Sequence, residues 1–342
     1  MPNLIPQFIR PVEPSFEALI DKYNKIGMHI VPVDGLGSPE QLKAIINITP
    51  EDFGVCAFMG SRPPKGMKGL SQVVRLYPKM LSQLDNHYEL HMPRISGGGN
   101  WDKTSPKKTG LMGQWARGAT EMGLPAHFIT MQDLVQREGL PYAKGQTACL
   151  KQLPNEDRIG ERTDGLICVA DLFIVFPGGL GTLTELAALF TNTSINNEFG
   201  KKKVVIYDPI FTDPITGEQS RYWQNSIAAM TTQNHSGLIG NDTAKNINSH
   251  CVLYRPDELL TPEQITRELM SLTLSIRKIA PKSKSDAGFK AIHPAIRKKH
   301  LAPLSKGSLL KRIFNDHGTN GQWVDDLRRL VKPTENSAQL AL

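Results

Sequence analysis

Residues 172–185 read LFIVFPGGLGTLTE: an apolar run of strand length, a break at Pro177, Gly178 and Gly179, and then the start of a helical pattern. A strand, a glycine turn and a helix N-terminus in that order make an anion cradle. The unpaired N–H groups of the first helical turn and the positive end of the helix dipole favour a negative group without needing a lysine. The stretch is not a dinucleotide fingerprint, because Thr184 stands where the third glycine of GxGxxG belongs, and it lacks the lysine of a Walker loop.

Working outward from this stretch, the same alternation of apolar runs and amphipathic helices continues on both sides. Strands are expected at 55–59, 88–95, 126–131, 172–176, 203–207 and 251–254. Helices are expected at 70–84, 113–122, 159–169, 183–190, 222–230 and 262–279. Such alternation is the signature of βαβ units. The expected fold class is α/β, a Rossmann-like doubly wound parallel sheet over residues 51–279. In that fold, ligands sit at the carboxyl ends of the strands, which is where the glycine turns fall.

The flanks read differently. Residues 1–50 hold seven prolines and two short helical patterns, 15–25 and 39–46, and are expected to be an N-terminal cap. Residues 280–342 follow a Lys- and Ser-rich linker and are expected to form a basic helical C-terminal extension. From Arg277 to Leu342 there are 14 Lys and Arg and 5 Asp and Glu, while the net charge of all 342 residues is only +7. The body is therefore close to neutral, and the basic character belongs to the tail. Its Arg297, Lys298, Lys299, Lys311, Arg312, Arg328 and Arg329 could meet nucleic-acid phosphates, but only Phe289, Phe314 and Trp323 interleave. A solvated surface or an oligomer contact is at least as good a reading.

Composition removes several classes. The four cysteines form no CxxC pair, which excludes a zinc ribbon and a thioredoxin-type motif and leaves four reduced thiols as the expectation. No apolar run reaches the roughly 18 residues of a membrane helix, and the N-terminus lacks a signal-peptide layout, so the expected location is cytoplasmic with no membrane partner. His87, Glu89 and His91 alternate as metal ligands on a strand could. Tyr88, Leu90 and Met92 alternate with them as in any half-buried strand, so no metal site is assigned.

Two further glycine turns accompany the first. Gly60 and Ser61 follow one strand, while Gly97, Gly98 and Gly99 follow another and precede Gly110, Leu111, Met112 and Gly113 at the opening of a helix. Thr182 to Glu185 is TxxE, and spacing alone favours a capping box closing the helix's first turn. The other role for Glu185 is that of a carboxylate beside the cradle, binding ribose hydroxyls or activating water. Arg162, with Arg158 one turn earlier, reads in isolation as a solvated helix residue.

Together, PGGLGTLTE at 177–185, the GGG and GLMG elements and Arg162 one helix upstream resemble the LONELY GUY (LOG) family of nucleoside 5'-monophosphate phosphoribohydrolases, whose members are often labelled lysine decarboxylases. The resemblance covers about 54–274. It implies that Arg162 and Glu185 are catalytic. It also implies that Gly178, Gly179, Leu180, Gly181, Thr182, Leu183 and Thr184 form the nucleotide phosphate site, with Thr191 contacting ligand further along the helix. Gly60, Ser61, Gly97, Gly98, Gly99 and Met112 complete the expected substrate site. The implied reaction is hydrolysis of the N-glycosidic bond of a purine nucleoside monophosphate, AMP or a cytokinin nucleotide, to free base and ribose 5-phosphate, without a cofactor and in a homodimer or assembly of dimers. The chain departs from the family at Thr163, where lysine is usual, at Gly160, where histidine is usual, and in an insertion at 100–109 that brings Trp101, Lys103, Lys107 and Lys108 to the rim. A non-catalytic nucleotide-binding sensor is the alternative from a different class.

Overall fold

The computed structural model describes residues 15–49, 52–60, 62–81, 88–92, 110–140, 145–153, 158–195, 202–223 and 251–277. Its core is an eight-stranded sheet built from β1 (His29–Val33), β2 (Phe53–Phe58), β3 (Tyr88–Met92), β4 (Ala126–Met131), β5 (Gln146–Leu150), β6 (Leu172–Val175), β7 (Lys203–Tyr207) and β10 (Cys251–Tyr254). The spatial order is β1-β5-β4-β3-β2-β6-β7-β10, and every neighbouring pair is parallel. A separate antiparallel hairpin joins β8 (Ile210–Thr212) to β9 (Gln219–Arg221).

Period-two alternation divides each central strand between two hydrophobic layers. Val55 and Ala57, Leu172 and Ile174, and Val205 and Tyr207 face one core. Cys56 and Phe58, Phe173 and Val175, and Val204 and Ile206 face the other. The first layer is closed by α1 (Phe16–Lys25), α3 (Leu70–Leu81), α4 (Leu111–Glu121), α5 (Gln132–Glu138) and α8 (Pro262–Arg277). The second is closed by α2 (Pro39–Ile45), α6 (Arg158–Val169) and α7 (Leu180–Ile195). The doubly wound α/β fold is thus established. Gly118 lets α4 lie against α3, since a Cβ there would stand 2.1 Å from the Arg75 carbonyl oxygen.

Several elements differ from the sequence expectations. The segment expected as a cap contributes β1, which pairs with β5 at the edge of the same sheet. Neither β1 nor β5 had been expected, and α5 had not either. The helix expected at 183–190 begins three residues earlier, at Leu180, inside the glycine stretch. Tyr222 and Trp223, expected to open a helix, sit in a turn after β9. The rest of that expected helix lies outside the described residues, as do Ser61, Gly97, Gly98, Gly99, the 100–109 insertion, His87 and the 280–342 extension. Among the described residues no helix is long and apolar enough to cross a membrane, and all four cysteines are free thiols.

Candidate functional site

The sheet changes direction of growth between β2 and β6. From β2 the chain builds outward through β3, β4 and β5, then restarts on the other side with β6, β7 and β10. Such a switch point opens a crevice at the carboxyl ends of the two strands. The pairing continues past the ladder into both turns: the Phe176 N–H donates to the Phe58 carbonyl at 2.8 Å and the Gly60 N–H to the Pro177 carbonyl at 3.2 Å.

Two of the turn glycines are required by contact. A Cβ on Gly178 would stand 2.2 Å from Thr182 Oγ1 and 2.6 Å from the Gly60 nitrogen, and one on Gly60 would stand 3.0 Å from the Gly178 Cα. Gly179 faces open space. The α7 helix starts at once, with the Thr182 and Leu183 N–H groups donating to the Gly179 carbonyl. Its first turn, with exposed Leu180 and partly exposed Gly181, stands at the crevice.

The TxxE capping box does not form. Thr182 is already the third helical residue, and its buried Oγ1 has no hydrogen-bond partner among the described residues. Glu185 instead reaches α6, where its Oε1 accepts from Arg162 Nη2 at 2.8 Å. Both side chains are buried, at 4% and 3% exposure, so the reading of Arg162 as a solvated surface arginine is overturned. Arg158 is buried as well and donates to Glu161 Oε2 at 2.6 Å, while Glu161 Oε1 accepts the Leu36 N–H. That last bond holds the loop after β1 against α6.

Arg162 Nε and Nη1 have no hydrogen-bond partner among the described residues, although both are buried. A buried donor left unsatisfied costs about 1–3 kcal/mol, and such groups in a folded protein call for a ligand, ion or water. Thr182 and Glu185, three residues apart, share one face of α7. The donors of Arg162, the Thr182 hydroxyl and the first turn of α7 therefore gather on the side of the sheet where the glycine turns end.

Other expected site residues fall elsewhere. Thr184 and Thr191 lie on the exposed stripe of α7, with their hydroxyls donating back to the Leu180 and Ala187 carbonyls. Leu183 packs partly buried against the second core, and Met112 is wholly buried in the first.

The structure adds groups that sequence reasoning missed. The Tyr222 hydroxyl donates to the Gly178 carbonyl at 2.7 Å. Burial raises the phenol's pKa, so at neutral pH it is protonated and able to donate. Behind it, Asp208 at the end of β7 accepts from the Trp223 N–H at 2.7 Å and from Arg255 Nε at 3.0 Å. Burial pushes the Asp208 carboxyl up, and these two donors pull against that shift. Cys56 lies close enough to the ion pair that the charge of Glu185 adds to burial in pushing its thiol well up. Lys202, lowered to about 8 by burial, donates to the Cys168 carbonyl at 3.1 Å and to that of Ala170, closing the end of α6. The one sequence signal for Asp208 is its place directly after the strand KVVIY. Tyr222 carried none.

Residues 112–260 match the family model described as "Possible lysine decarboxylase". That span takes in Arg162, the glycine turn and Glu185, and the label is one that LOG proteins often carry. The matched span is thus similar to a LOG-family domain, as its motifs indicated. No curated protein sequence matches it. Similar solved structures include a molybdenum cofactor binding protein from the phototrophic bacterium Rippkaea orientalis, 16% identical, covering 66% of this chain and 99% of that one with a TM-score of 0.34. Another is a molybdenum cofactor carrier protein from Chlamydomonas reinhardtii, 13% identical, covering 65% and 98% with a TM-score of 0.34.

Proposed function

We propose that the protein hydrolyses the N-glycosidic bond of a purine nucleoside 5'-monophosphate, AMP or a cytokinin nucleotide, releasing the base and ribose 5-phosphate. The observation that carries this reading is the buried Arg162–Glu185 pair beside a glycine turn and helix N-terminus at the sheet's switch point.

On this reading the 5'-phosphate takes the Gly179, Leu180 and Gly181 N–H groups at the start of α7, with Thr182 Oγ1 and the Arg162 donors that Glu185 does not engage completing its partners or those of the ribose. Cleavage breaks the bond between the anomeric carbon and the base nitrogen, and the electron pair leaves with the base. The sugar passes through an oxocarbenium-like state whose positive charge a nearby carboxylate stabilises. Glu185 supplies that carboxylate and takes a proton from the water attacking the anomeric carbon. The departing base acquires a proton from solvent, and Glu185 returns to solvent the proton it took from the water. Arg162 orients Glu185 through their contact. The same reading takes the chain as a cytoplasmic homodimer or assembly of dimers, with residues 280–342 outside the chemistry.

A decarboxylase reading would need a lysine free to form a Schiff base. The buried Lys202 has a suitably lowered pKa, but its ammonium is held on two carbonyls at the end of α6.

The sensor reading draws on one observation. Glu185 is already engaged by Arg162 in a buried ion pair, an arrangement that serves binding as well as chemistry. Base release from a panel of nucleoside monophosphates, with wild type beside Glu185→Gln, separates the two. Hydrolysis predicts that wild type liberates base and ribose 5-phosphate and that the folded Gln variant does not. A wild type that binds nucleotide and cleaves none of the panel is a sensor.

A further inference from the structure

The hairpin segment between β7 and the turn after β9 is closed on itself. Asp208, fully buried, ties its start to the Trp223 N–H at its end, and the Tyr222 N–H donates to the Pro209 carbonyl at 3.1 Å. Arg221 Nη1 donates to the Asp208 and Pro256 carbonyls, each at 3.1 Å, and Arg255 Nε holds the Asp208 carboxylate at 3.0 Å. The Tyr222 ring packs edge-on against Phe211 at 6.0 Å and Trp223 at 5.1 Å. Backbone anchors on either side and two aromatic contacts leave the phenol little rotamer freedom. Its hydroxyl ends on the Gly178 carbonyl.

That carbonyl belongs to the peptide joining Gly178 to Gly179. The peptide is planar and trans, so fixing the carbonyl toward Tyr222 turns the Gly179 N–H to the opposite side. Gly178 itself is hemmed in by Thr182 Oγ1 and the Gly60 nitrogen, so the peptide is constrained from several directions. A cradle whose N–H groups are fixed before the ligand arrives spends none of its binding energy on ordering them.

We propose that Tyr222 is a positioning residue for phosphate binding: its hydroxyl orients the Gly178–Gly179 peptide of the cradle, and the Asp208–Arg255–Arg221 cluster holds Tyr222 in place to do so. This rests on the cradle of the proposed function but not on hydrolysis.

The test is the Kd of ribose 5-phosphate for the full chain, measured by titration calorimetry on wild type, Tyr222→Phe and Gly118→Ala, with melting temperatures alongside. Tyr222→Phe keeps the ring and loses only the hydroxyl. The expected result is a Kd raised about five- to tenfold, the scale of one hydrogen bond, with little change in melting temperature. The KM for AMP rises by the same factor while kcat holds within about twofold. Gly118→Ala loosens the α3–α4 packing away from Tyr222 and the cradle, and leaves the Kd at the wild-type value even where it lowers the melting temperature. An unchanged Kd in Tyr222→Phe, or an equal rise in Gly118→Ala, overturns the inference and leaves the proposed function standing. A wild type that binds ribose 5-phosphate but cleaves no nucleotide sinks hydrolysis and leaves the Tyr222 comparison decisive. A wild type that binds neither ribose 5-phosphate nor AMP removes the cradle, and both readings with it.

Discussion

Arg162 on α6 and Glu185 on α7 form an ion pair at 2.8 Å with both side chains almost wholly removed from solvent. The pair joins the two helices that flank the glycine turn, and its stability consequences are separable from its chemistry. Removing one partner of a buried pair leaves a charge without compensation and costs about 3–5 kcal/mol, whereas replacing both with apolar residues of similar size is often close to neutral. Arg162→Met and Glu185→Leu should each destabilise strongly in urea unfolding, and the double variant should recover most of the loss. All three should release no base. A double variant as unstable as the sum of the singles would show that the two side chains do not act on stability as a pair.

The two glycines of the turn should respond in opposite ways. Gly178→Ala drives a Cβ into Thr182 Oγ1 and the Gly60 backbone, and should cost about 1–3 kcal/mol of stability together with most ribose 5-phosphate binding. Gly179→Ala adds its methyl to open space and should stay within about 0.5 kcal/mol of wild type. Equal effects in thermal melts would contradict the contact geometry.

Gly118→Ala is the corresponding change far from the cradle. Its Cβ would meet the Arg75 carbonyl oxygen where α3 and α4 touch, so helix packing must open. Stability should fall by about 1–3 kcal/mol while the folded protein binds ribose 5-phosphate with the wild-type Kd.

The sheet positions were legible where a strand is buried on both faces. FGVCAF, LFIV and KVVIY have no exposed side chain to interrupt them, and a run of apolar residues is what such burial demands. The strand β1 escaped notice because an edge strand tolerates Pro32 and leaves both His29 and Pro32 exposed, so HIVPV reads as a loop. The strand β5, QTACL, is short and starts on polar residues. The start of α7 was misplaced because glycine reads as turn, although Gly181 lies in the helix. For the site, the motif located the cradle, but the fate of Glu185 depended on a partner 23 residues away. Nothing local in Arg162 announces its burial, and the contact of Tyr222 spans 44 residues. Groups whose roles depend on long-range geometry are the ones that local pattern leaves out.

Alkaline pH should unfold the protein through its thiols. Burial holds Cys149 and Cys251 up at about 12 and Cys56 well above its ordinary value, while an unfolded thiol ionises near 8.5. The folded state then keeps protons that the unfolded state gives up. The stability these groups confer is complete below about pH 8.5 and is lost as pH rises, at up to about 1.4 kcal/mol per pH unit for each thiol. Lys202, depressed to about 8, works in the opposite sense between about 8 and 10.5, one group against three. Urea unfolding at successive pH values should show stability falling above about pH 9. In the native protein at neutral pH, partly buried Cys168 should react with a thiol reagent before the other three. A stability that rises steadily to pH 10 would contradict the burial of these thiols.

The pairing of β2 with β6 has a consequence for how the protein comes into being. The Gly54 N–H meets the Asp171 carboxylate 117 residues further along the chain, so the two glycine turns are brought together only by closure of a very long loop. Contacts of this separation form late, after the entropy of closure has been met. On the ribosome, Gly60 emerges well before Gly178 and must wait several seconds for it at typical synthesis rates of roughly 5–20 residues per second. The nascent N-terminal half therefore holds only one wall of the crevice. Any ligand that grips both turns acts on the finished centre of the sheet, slowing its unfolding without hastening its assembly.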